Sequence, residues 1–237
     1  MTEISITPLT NVIGAEIRGL DFSHPFDGET IAGIQEAWLK HLVLVFRCGP
    51  ISEDDQARFA THFGETVGAR SAERKDGGDR RLMVISNIRE NGEPIGALPD
   101  GELMFHSDSV FLEKPLKGAM LYAEELPSTG GNTLFASMYK AYDRLPEDLR
   151  GRLEGLKGVN VFDYETQVKA GRFDRASAPH AIHPVIRTHP ETGRKALYVN
   201  RLMTEEIVGL PEAESDATLQ GLFELAERPE LIYEHVW

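Results

Sequence analysis

The chain has 237 residues, which is long enough to bury a substantial hydrophobic core within one domain. Its 25 Lys and Arg against 38 Asp and Glu give a formal net charge of −13, which disfavours binding to nucleic acids and anionic membranes. The single cysteine, Cys48, excludes an internal disulfide and a zinc site built from several thiolates.

The amino-terminal residues show neither the basic region nor the continuous apolar region of a secretory signal. A membrane-spanning helix needs roughly 20 apolar residues, whereas the longest apolar candidate, Leu42–Phe46, has only the length of a strand. We therefore expect a cytoplasmic protein that has no membrane or nucleic-acid partner.

A helix followed by a buried strand is predicted after the first 27 residues. Asp27 and Thr30 form a plausible cap, and apolar residues then recur on one helical face over Glu29–Lys40. The next run, His41–Arg47, is rich in β-branched residues and is bounded by a Gly-Pro pair. This pattern is typical of a strand that is buried on both faces.

A second helix and a long connection follow. Ser52 and Asp55 form a capping-box pattern, and the apolar spacing after them ends at Gly64. Residues 66–101 are rich in Arg, Asp, Gly, Asn and Pro, apart from one strand candidate at Leu82–Ser86. A connection of this length is either a lid that borders a site or a solvated loop, and both interpretations stay open.

Strand and helix candidates alternate in the second half of the chain. The strand candidates are Gly118–Glu124, Thr133–Ala136, the two arms Pro184–Arg187 and Ala196–Val199 of a hairpin, and Leu231–Trp237. The helix candidates are Met138–Leu145, Pro146–Leu156 and Ala213–Glu227. Strands separated by turns suit a jelly roll, or double-stranded β-helix, better than parallel βαβ units.

The first candidate for chemistry is the sequence His106-Ser107-Asp108. Residues two apart on a strand face the same side, so His106 and Asp108 could meet one metal ion. Imidazole and carboxylate, with a second imidazole, form the facial triad of non-haem Fe(II) oxygenases. Composition alone predicts roughly one such H-x-[DE] match by chance, and His189-Pro190-Glu191, in a hairpin loop, is interpreted as that chance match.

The surroundings of this motif carry a resemblance to a known family. Residues 106–135 read HSDSVFLEKPLKGAMLYAEELPSTGGNTLF, and the segments Asn11–Leu20, Phe63–Glu65, 183–190 and Leu197–Asn200 extend the match. The block resembles the centre of the taurine dioxygenase and phenoxyacetate dioxygenase family, which combines H-[TS]-D, a hydrophobic strand and the turn LPSTGG[DN]T. The resemblance covers nearly the whole chain.

The resemblance implies an oxidoreductase that uses Fe(II), 2-oxoglutarate and O₂. His106 and Asp108 would be iron ligands, and Thr133 would hydrogen-bond the distal carboxylate of 2-oxoglutarate, although Thr133 also fits an ordinary β-branched strand residue. The expected reaction hydroxylates a small organic, typically anionic, substrate and releases succinate and CO₂. The implied fold is mainly β with flanking helices, a cupin-like jelly roll in which 1–237 forms a single dioxygenase domain.

The resemblance also suggests residues near the substrate. Asn87, Phe162 and Met203 fall near family positions that shape the substrate pocket, whereas Phe162 and Met203 also fit the core and Asn87 a strand end. Family members often self-associate, so a homo-oligomer is expected. The substrate itself is not identified by the sequence.

The sequence departs from the family pattern in one respect. Members carry a third ligand, a histidine well over a hundred residues after the H-x-D, and slightly beyond it an arginine that pairs with 2-oxoglutarate. After Val199 the only histidine is His235, which we do not interpret as the ligand. The apolar alternation of Leu231–Trp237 suggests a strand that enters a sheet, so the last strands, the third ligand and the arginine are expected beyond residue 237. Either a longer expressed chain or a fragment that holds iron weakly fits this pattern.

Two other classes of function remain to be separated from the dioxygenase. A cupin-like binding or sensor module would keep the barrel without turnover, although it would have no need for both the H-x-D and Thr133. A metal-dependent hydrolase would need zinc or two-metal ligands that the sequence does not supply. Production of succinate distinguishes the dioxygenase from both.

Overall fold

The computed structural model describes residues 4–66, 82–96, 103–162 and 178–237. It divides into an N-terminal unit, Met1–Leu9 with Gly14–Glu102, and a C-terminal unit, Thr10–Ile13 with Leu103–Trp237. The expectation of a single dioxygenase domain stays a prediction. Within the described ranges, no helix is both long enough and apolar enough to span a membrane.

The N-terminal unit contains a three-stranded sheet with the order β1-β2-β3. Its strands are β1 (Ser5–Pro8), β2 (Ala15–Arg18) and β3 (Leu44–Phe46), with β1 antiparallel and β3 parallel to β2. Helix α1 (Gly28–His41) connects β2 to β3, as parallel neighbours require a crossover. The carboxylate of Asp27 accepts the backbone N–H of Thr30 at 2.8 Å, which confirms the predicted cap.

Helix α2 (Glu53–Thr61) begins at the predicted capping box, since Ser52 and Asp55 exchange side-chain to backbone hydrogen bonds. Its Phe59 is buried at the centre of an aromatic cluster, in edge-to-face contact with Phe22 at 4.9 Å and Phe63 at 5.1 Å between ring centroids. Edge-to-face pairs contribute about 0.5–1.5 kcal/mol beyond the burial of their surface. These ring contacts hold α2 in the N-terminal unit.

The predicted strand at Leu82–Ser86 is wrong, because these residues have no regular structure. Met83 and Ile85 are 47% and 44% exposed, and no described strand pairs with them. A short hairpin of β4 (Arg89–Glu90) and β5 (Glu93–Pro94) follows instead. Most of the predicted lid over 66–101 lies outside the described residues.

The C-terminal unit is a mixture of helices and small antiparallel sheets. Its helices are α3 (Met138–Asp143), α4 (Glu147–Leu153) and α5 (Glu212–Ala226), close to the three predicted ranges. Its strands are β6 (Thr133–Ala136), β7 (Lys157–Val161), β8 (His180–Pro184), β9 (Ile186–Thr188), β10 (Lys195–Leu197), β11 (Thr204–Ile207) and β12 (Ile232–His235). The core packs α5 against these strands around Val185, Leu197, Leu222 and Leu231, each at most 1% exposed.

The sheets of this unit have the orders β11-β7-β8, β10-β9 and β12-β6. The predicted hairpin is confirmed by β9 and β10, and the predicted strand near residue 231 is confirmed by β12, whose His235 lies opposite Thr133. The predicted strand Gly118–Glu124 is wrong, since the segment is irregular and Leu121 is 53% exposed. The described sheets do not close into a barrel, and the part of the chain that the structure describes is a mixture of helices and strands rather than mainly β.

A buried polar network fixes the turn between β10 and β11 onto the sheet. The Thr204 hydroxyl donates to Asn160 Oδ1 at 2.7 Å and accepts the Asn200 N–H at 2.9 Å. Asn200 Oδ1 in turn accepts the Met203 N–H at 2.8 Å. All of these side chains are at most 8% exposed. Loss of any of these bonds would therefore leave a buried polar group without a hydrogen-bond partner, since water does not reach it.

We expect Thr204→Val to destabilise the protein by about 2–4 kcal/mol, because it leaves Asn160 Oδ1 and the Asn200 N–H without this shared partner. Urea unfolding followed by circular dichroism measures the loss. The control, Thr204→Ser, keeps the hydroxyl and should cost about 1 kcal/mol or less. Equal losses in the two variants would show that the network does not stabilise the turn.

Candidate iron site

His106 and Asp108 lie on a segment that does not join any described sheet. The chain turns after His106, with Ser109 at φ 59° and the Leu112 N–H donating to the Ser109 carbonyl at 2.9 Å. The predicted strand geometry for this pair is therefore wrong. The turn nevertheless brings His106 Nε2 to 3.3 Å from Asp108 Oδ1.

The ring of His106 is oriented by the backbone. Its Nδ1 lies 2.9 Å from the Met104 carbonyl oxygen, which can only accept, so Nδ1 carries a hydrogen and Nε2 faces Asp108. The hydrogen bond to Asp108 raises the pKa of His106 against the opposing effect of burial, and the same bond lowers the pKa of Asp108. Both shifts favour the charged forms of the metal-free pair, an imidazolium beside a carboxylate.

The donors of this pair fit a hard divalent metal. Two adjacent donors of an octahedral ion, each about 2.1 Å from it, lie about 3 Å apart, which is close to the observed 3.3 Å. The two side chains are 31% and 58% exposed, so an ion can reach them. Within the described ranges, no cluster of three His, Cys, Asp or Glu side chains is assembled, so a facial triad that includes this pair would need a third ligand.

Thr133, the predicted 2-oxoglutarate contact, is the first residue of β6. Its Oγ1 accepts the indole N–H of Trp237 at 3.0 Å, so the hydroxyl keeps its own hydrogen to donate. Among the described residues, no hydrogen bond joins Thr133 to His106 or Asp108. The structure therefore gives Thr133 an oriented hydroxyl without linking it directly to the metal pair.

Two of the three predicted substrate residues lie beside the His106 segment. Met203, which is 2% exposed, packs in a small apolar cluster with Val110 and Leu202, and Phe111 packs against the same cluster. The Phe162 ring contacts that of Phe111 edge to face, with 4.4 Å between centroids. Asn87, the third, is an exposed residue of the N-terminal unit.

The H-x-[DE] sequence at His189, interpreted as a chance match, has a structural role in the hairpin loop. His189 Nδ1 accepts the backbone N–H groups of Glu191 and Thr192 at 3.2 and 3.3 Å, which closes the loop of the β9-β10 hairpin. The Glu191 carboxylate forms an ion pair with Lys117 at 2.8 Å. His189 therefore stabilises the hairpin loop, and Glu191 forms an ion pair with Lys117.

Two contacts of the His106 segment are not evident from the sequence. The Leu202 N–H donates to the Phe105 carbonyl at 3.2 Å, and His183 Nε2 lies 3.0 Å from the Leu112 carbonyl oxygen. From the sequence, His183 is interpreted as structural, because it lies beside a proline or strand end and has no partner at ligand spacing. The only signal in the sequence is its position at the start of the block 183–190 that carries the family resemblance.

Comparison with known proteins places these observations in one family. The family model described as "Taurine catabolism dioxygenase TauD, TfdA family" matches residues 5–237. The (S)-phenoxypropionate/alpha-ketoglutarate-dioxygenase of Sphingobium herbicidovorans is 34% identical over 98% of this chain and 82% of its own, and the pentalenolactone F synthase of Streptomyces avermitilis is 35% identical over 96% and 80%.

A solved structure, AAD-2 in complex with Mn(II) and N-oxalylglycine, superimposes with a TM-score of 0.81 at 29% identity, over 99% of this chain and 84% of its own. The sequence match and the structural match cover nearly all of the chain. The chain belongs to the TauD/TfdA family of Fe(II)- and 2-oxoglutarate-dependent dioxygenases.

Proposed function

We propose that this dioxygenase holds its iron through His106 Nε2 and an oxygen of Asp108. The observation that carries the proposal is the convergence of these atoms at 3.3 Å on an accessible segment. A facial triad needs a third donor besides this pair, which is a histidine in the family's ligand set. The small sheets of the C-terminal unit are proposed to form part of a double-stranded β-helix.

Bound Fe(II), with 2-oxoglutarate and O₂, supplies the oxidising chemistry that hydroxylates the substrate and releases succinate and CO₂. The residues of this chain prepare the site. The Met104 carbonyl holds the His106 ring in the tautomer that presents Nε2, and Asp108 supplies negative charge that offsets the cation. The ion pair must lose its proton before both atoms can bind metal.

Thr133 is proposed to bind the distal carboxylate of 2-oxoglutarate. Donation from Trp237 to Oγ1 polarises the hydroxyl, which makes its remaining O–H a stronger donor to a carboxylate oxygen. A hydroxyl-carboxylate bond is charge-assisted and contributes about 1.5–3 kcal/mol. This function needs the hydroxyl rather than the β-branched shape of threonine.

The substrate is proposed to be a small organic anion that has an apolar body. Phe162 and Phe111 are proposed to offer an apolar surface to the substrate, and the buried Met203 to support it from the cluster against which Phe111 packs. Asn87 stays a proposed substrate residue on the sequence resemblance alone. A relative whose name specifies phenoxypropionate, a carboxylate that carries an aromatic ring, supports this class.

The net charge of −13 disfavours nucleic acids and anionic membranes as partners, and none is proposed. The protein is further proposed to be a cytoplasmic homo-oligomer.

The iron assignment is tested by anaerobic titration with Fe(II) and 2-oxoglutarate, which gives a visible charge-transfer band when the chelate forms. We expect the band and succinate production in the wild type, and a loss of Fe(II) affinity of about 100-fold or more in His106→Ala. His189→Ala, which removes the histidine of the chance match, is the control and should keep the band. A wild-type protein without the band would favour the non-catalytic barrel, and a band that survives His106→Ala would refute the ligand assignment.

The ion pair predicts a pH dependence of metal binding. Because the pKa of His106 is raised above its ordinary value of about 6.5, the proton competes with metal at a higher pH than for a free histidine. Affinity for Mn(II), measured by electron paramagnetic resonance, should fall about tenfold per pH unit below that pKa. Asp108→Asn should move the onset of this fall to lower pH, and a constant affinity from pH 8 to 5.5 would contradict the ion pair.

The role of Thr133 is tested with two substitutions. Thr133→Val keeps the branched shape but loses the hydroxyl, so the KM for 2-oxoglutarate should rise about tenfold or more. Thr133→Ser keeps the hydroxyl and should stay within about threefold of the wild type. If both variants show the same KM, Thr133 is an ordinary strand residue.

A further inference from the structure

Among the described residues, the segment that carries His106 and Asp108 makes hydrogen bonds both within itself and to distant residues. Its local hydrogen bonds, from the Val110 N–H to Ser107 and from the Leu112 N–H to Ser109, define the shape of the turn but not its place in the protein. The Leu202 N–H fixes the carbonyl of Phe105, just before the ligands. His183 contacts the carbonyl of Leu112, four residues after Asp108.

We propose that His183 is a positioning residue of the iron site, which acts by donating from Nε2 to the Leu112 carbonyl. The carbonyl oxygen can only accept, so the 3.0 Å contact requires a hydrogen on Nε2. His183 lies 71 residues from Leu112 along the chain, so the bond is a tertiary contact and not part of the turn. The proposal rests on the proposed ligand assignment of His106 and Asp108.

The imidazole of His183 is held rigidly enough to position another segment. His183 lies in β8, opposite Gly158 of β7, and is 7% exposed. Its ring contacts that of Tyr198 edge to face at 5.7 Å, and the Arg187 guanidinium lies 4.8 Å from the centre of the Tyr198 ring. A donor fixed by a sheet and by ring packing can therefore define where the Leu112 carbonyl lies.

The position of Leu112 bears directly on the metal pair because the turn joins them. Ser109, with its φ of 59°, is a non-glycine residue in the left-handed region, and such a conformation persists only where its surroundings determine it. Val110, between Ser109 and Leu112, is 1% exposed in the apolar cluster. Without the His183 bond, the far end of the turn can relax and the two ligand atoms can separate.

The experiment compares anaerobic Fe(II) affinity, with 2-oxoglutarate present, in the full-length wild type and three variants. His183→Leu removes the donor at similar volume and should weaken Fe(II) binding about tenfold, the lower end for groups that orient metal ligands. His183→Gln keeps an amide donor and should stay within about threefold. Val185→Ala, two residues along the chain in the core of the C-terminal unit, is the control for loss of stability alone and should also stay within about threefold.

The melting temperature of each metal-free variant separates positioning from stability. If His183→Leu loses no more Fe(II) affinity than Val185→Ala at a comparable melting temperature, the positioning role is refuted. If the wild type shows no Fe(II) complex that depends on His106, the proposed ligand assignment is refuted, and the role of His183 falls with it. A wild type that binds Fe(II) together with an unaffected His183→Leu would refute only the role of His183.

A second measurement does not depend on the folding of His183→Leu. Nitrogen-15 NMR of the histidine rings in the wild-type protein, assigned with His183→Gln, reports which ring nitrogen carries hydrogen. We expect hydrogen on Nε2 of His183. A neutral ring that carries its hydrogen on Nδ1 would refute the proposal, because Nε2 could not then donate to Leu112.

Discussion

The proposed iron site depends on one contact, the 3.3 Å approach of His106 Nε2 to Asp108 Oδ1 across a turn. The other features described around the site keep this approach in place. The Met104 carbonyl orients the ring, the apolar cluster holds Val110, and the buried network of Asn160, Thr204 and Asn200 holds the turn that carries Leu202. A rigid sheet thus positions an irregular segment through side chains and single backbone bonds, not through a ladder of strand pairing.

The charge of this pair also explains how an acidic protein prepares a cation site. Without metal, His106 and Asp108 each favour the charged form of the other, so that their charges offset each other. In the proposed site, a divalent ion would take the place of the proton on His106 and would leave net positive charge for the carboxylates of an anionic cosubstrate. The net charge of −13 therefore does not preclude anionic ligands, because the local charge at the metal decides their binding.

Sequence patterns correctly predicted the caps and the hairpin, which depend on hydrogen bonds between residues close together in the chain. The caps at Asp27 and Ser52 and the glycine-containing hairpin near His189 are confirmed, since their hydrogen bonds lie within a few residues. The predicted strands Leu82–Ser86 and Gly118–Glu124 are wrong, because an apolar run becomes a strand only where a neighbour pairs with it. The family was confirmed, whereas the contact between His183 and Leu112 could not be predicted, because nothing local links residues 71 apart.

The wrongly predicted strand at His106 shows why a turn suits the proposed site better than a strand. Residues two apart on a strand have Cα atoms about 6.6 Å apart, and their side chains stand roughly parallel, so their donor atoms do not converge by themselves. In this structure the side chains meet at 3.3 Å beside a turn, at the expense of a left-handed Ser109. The segment pairs with no described strand, so the bonds that distant groups make to Phe105 and Leu112 are proposed to belong to the metal site rather than to the general packing.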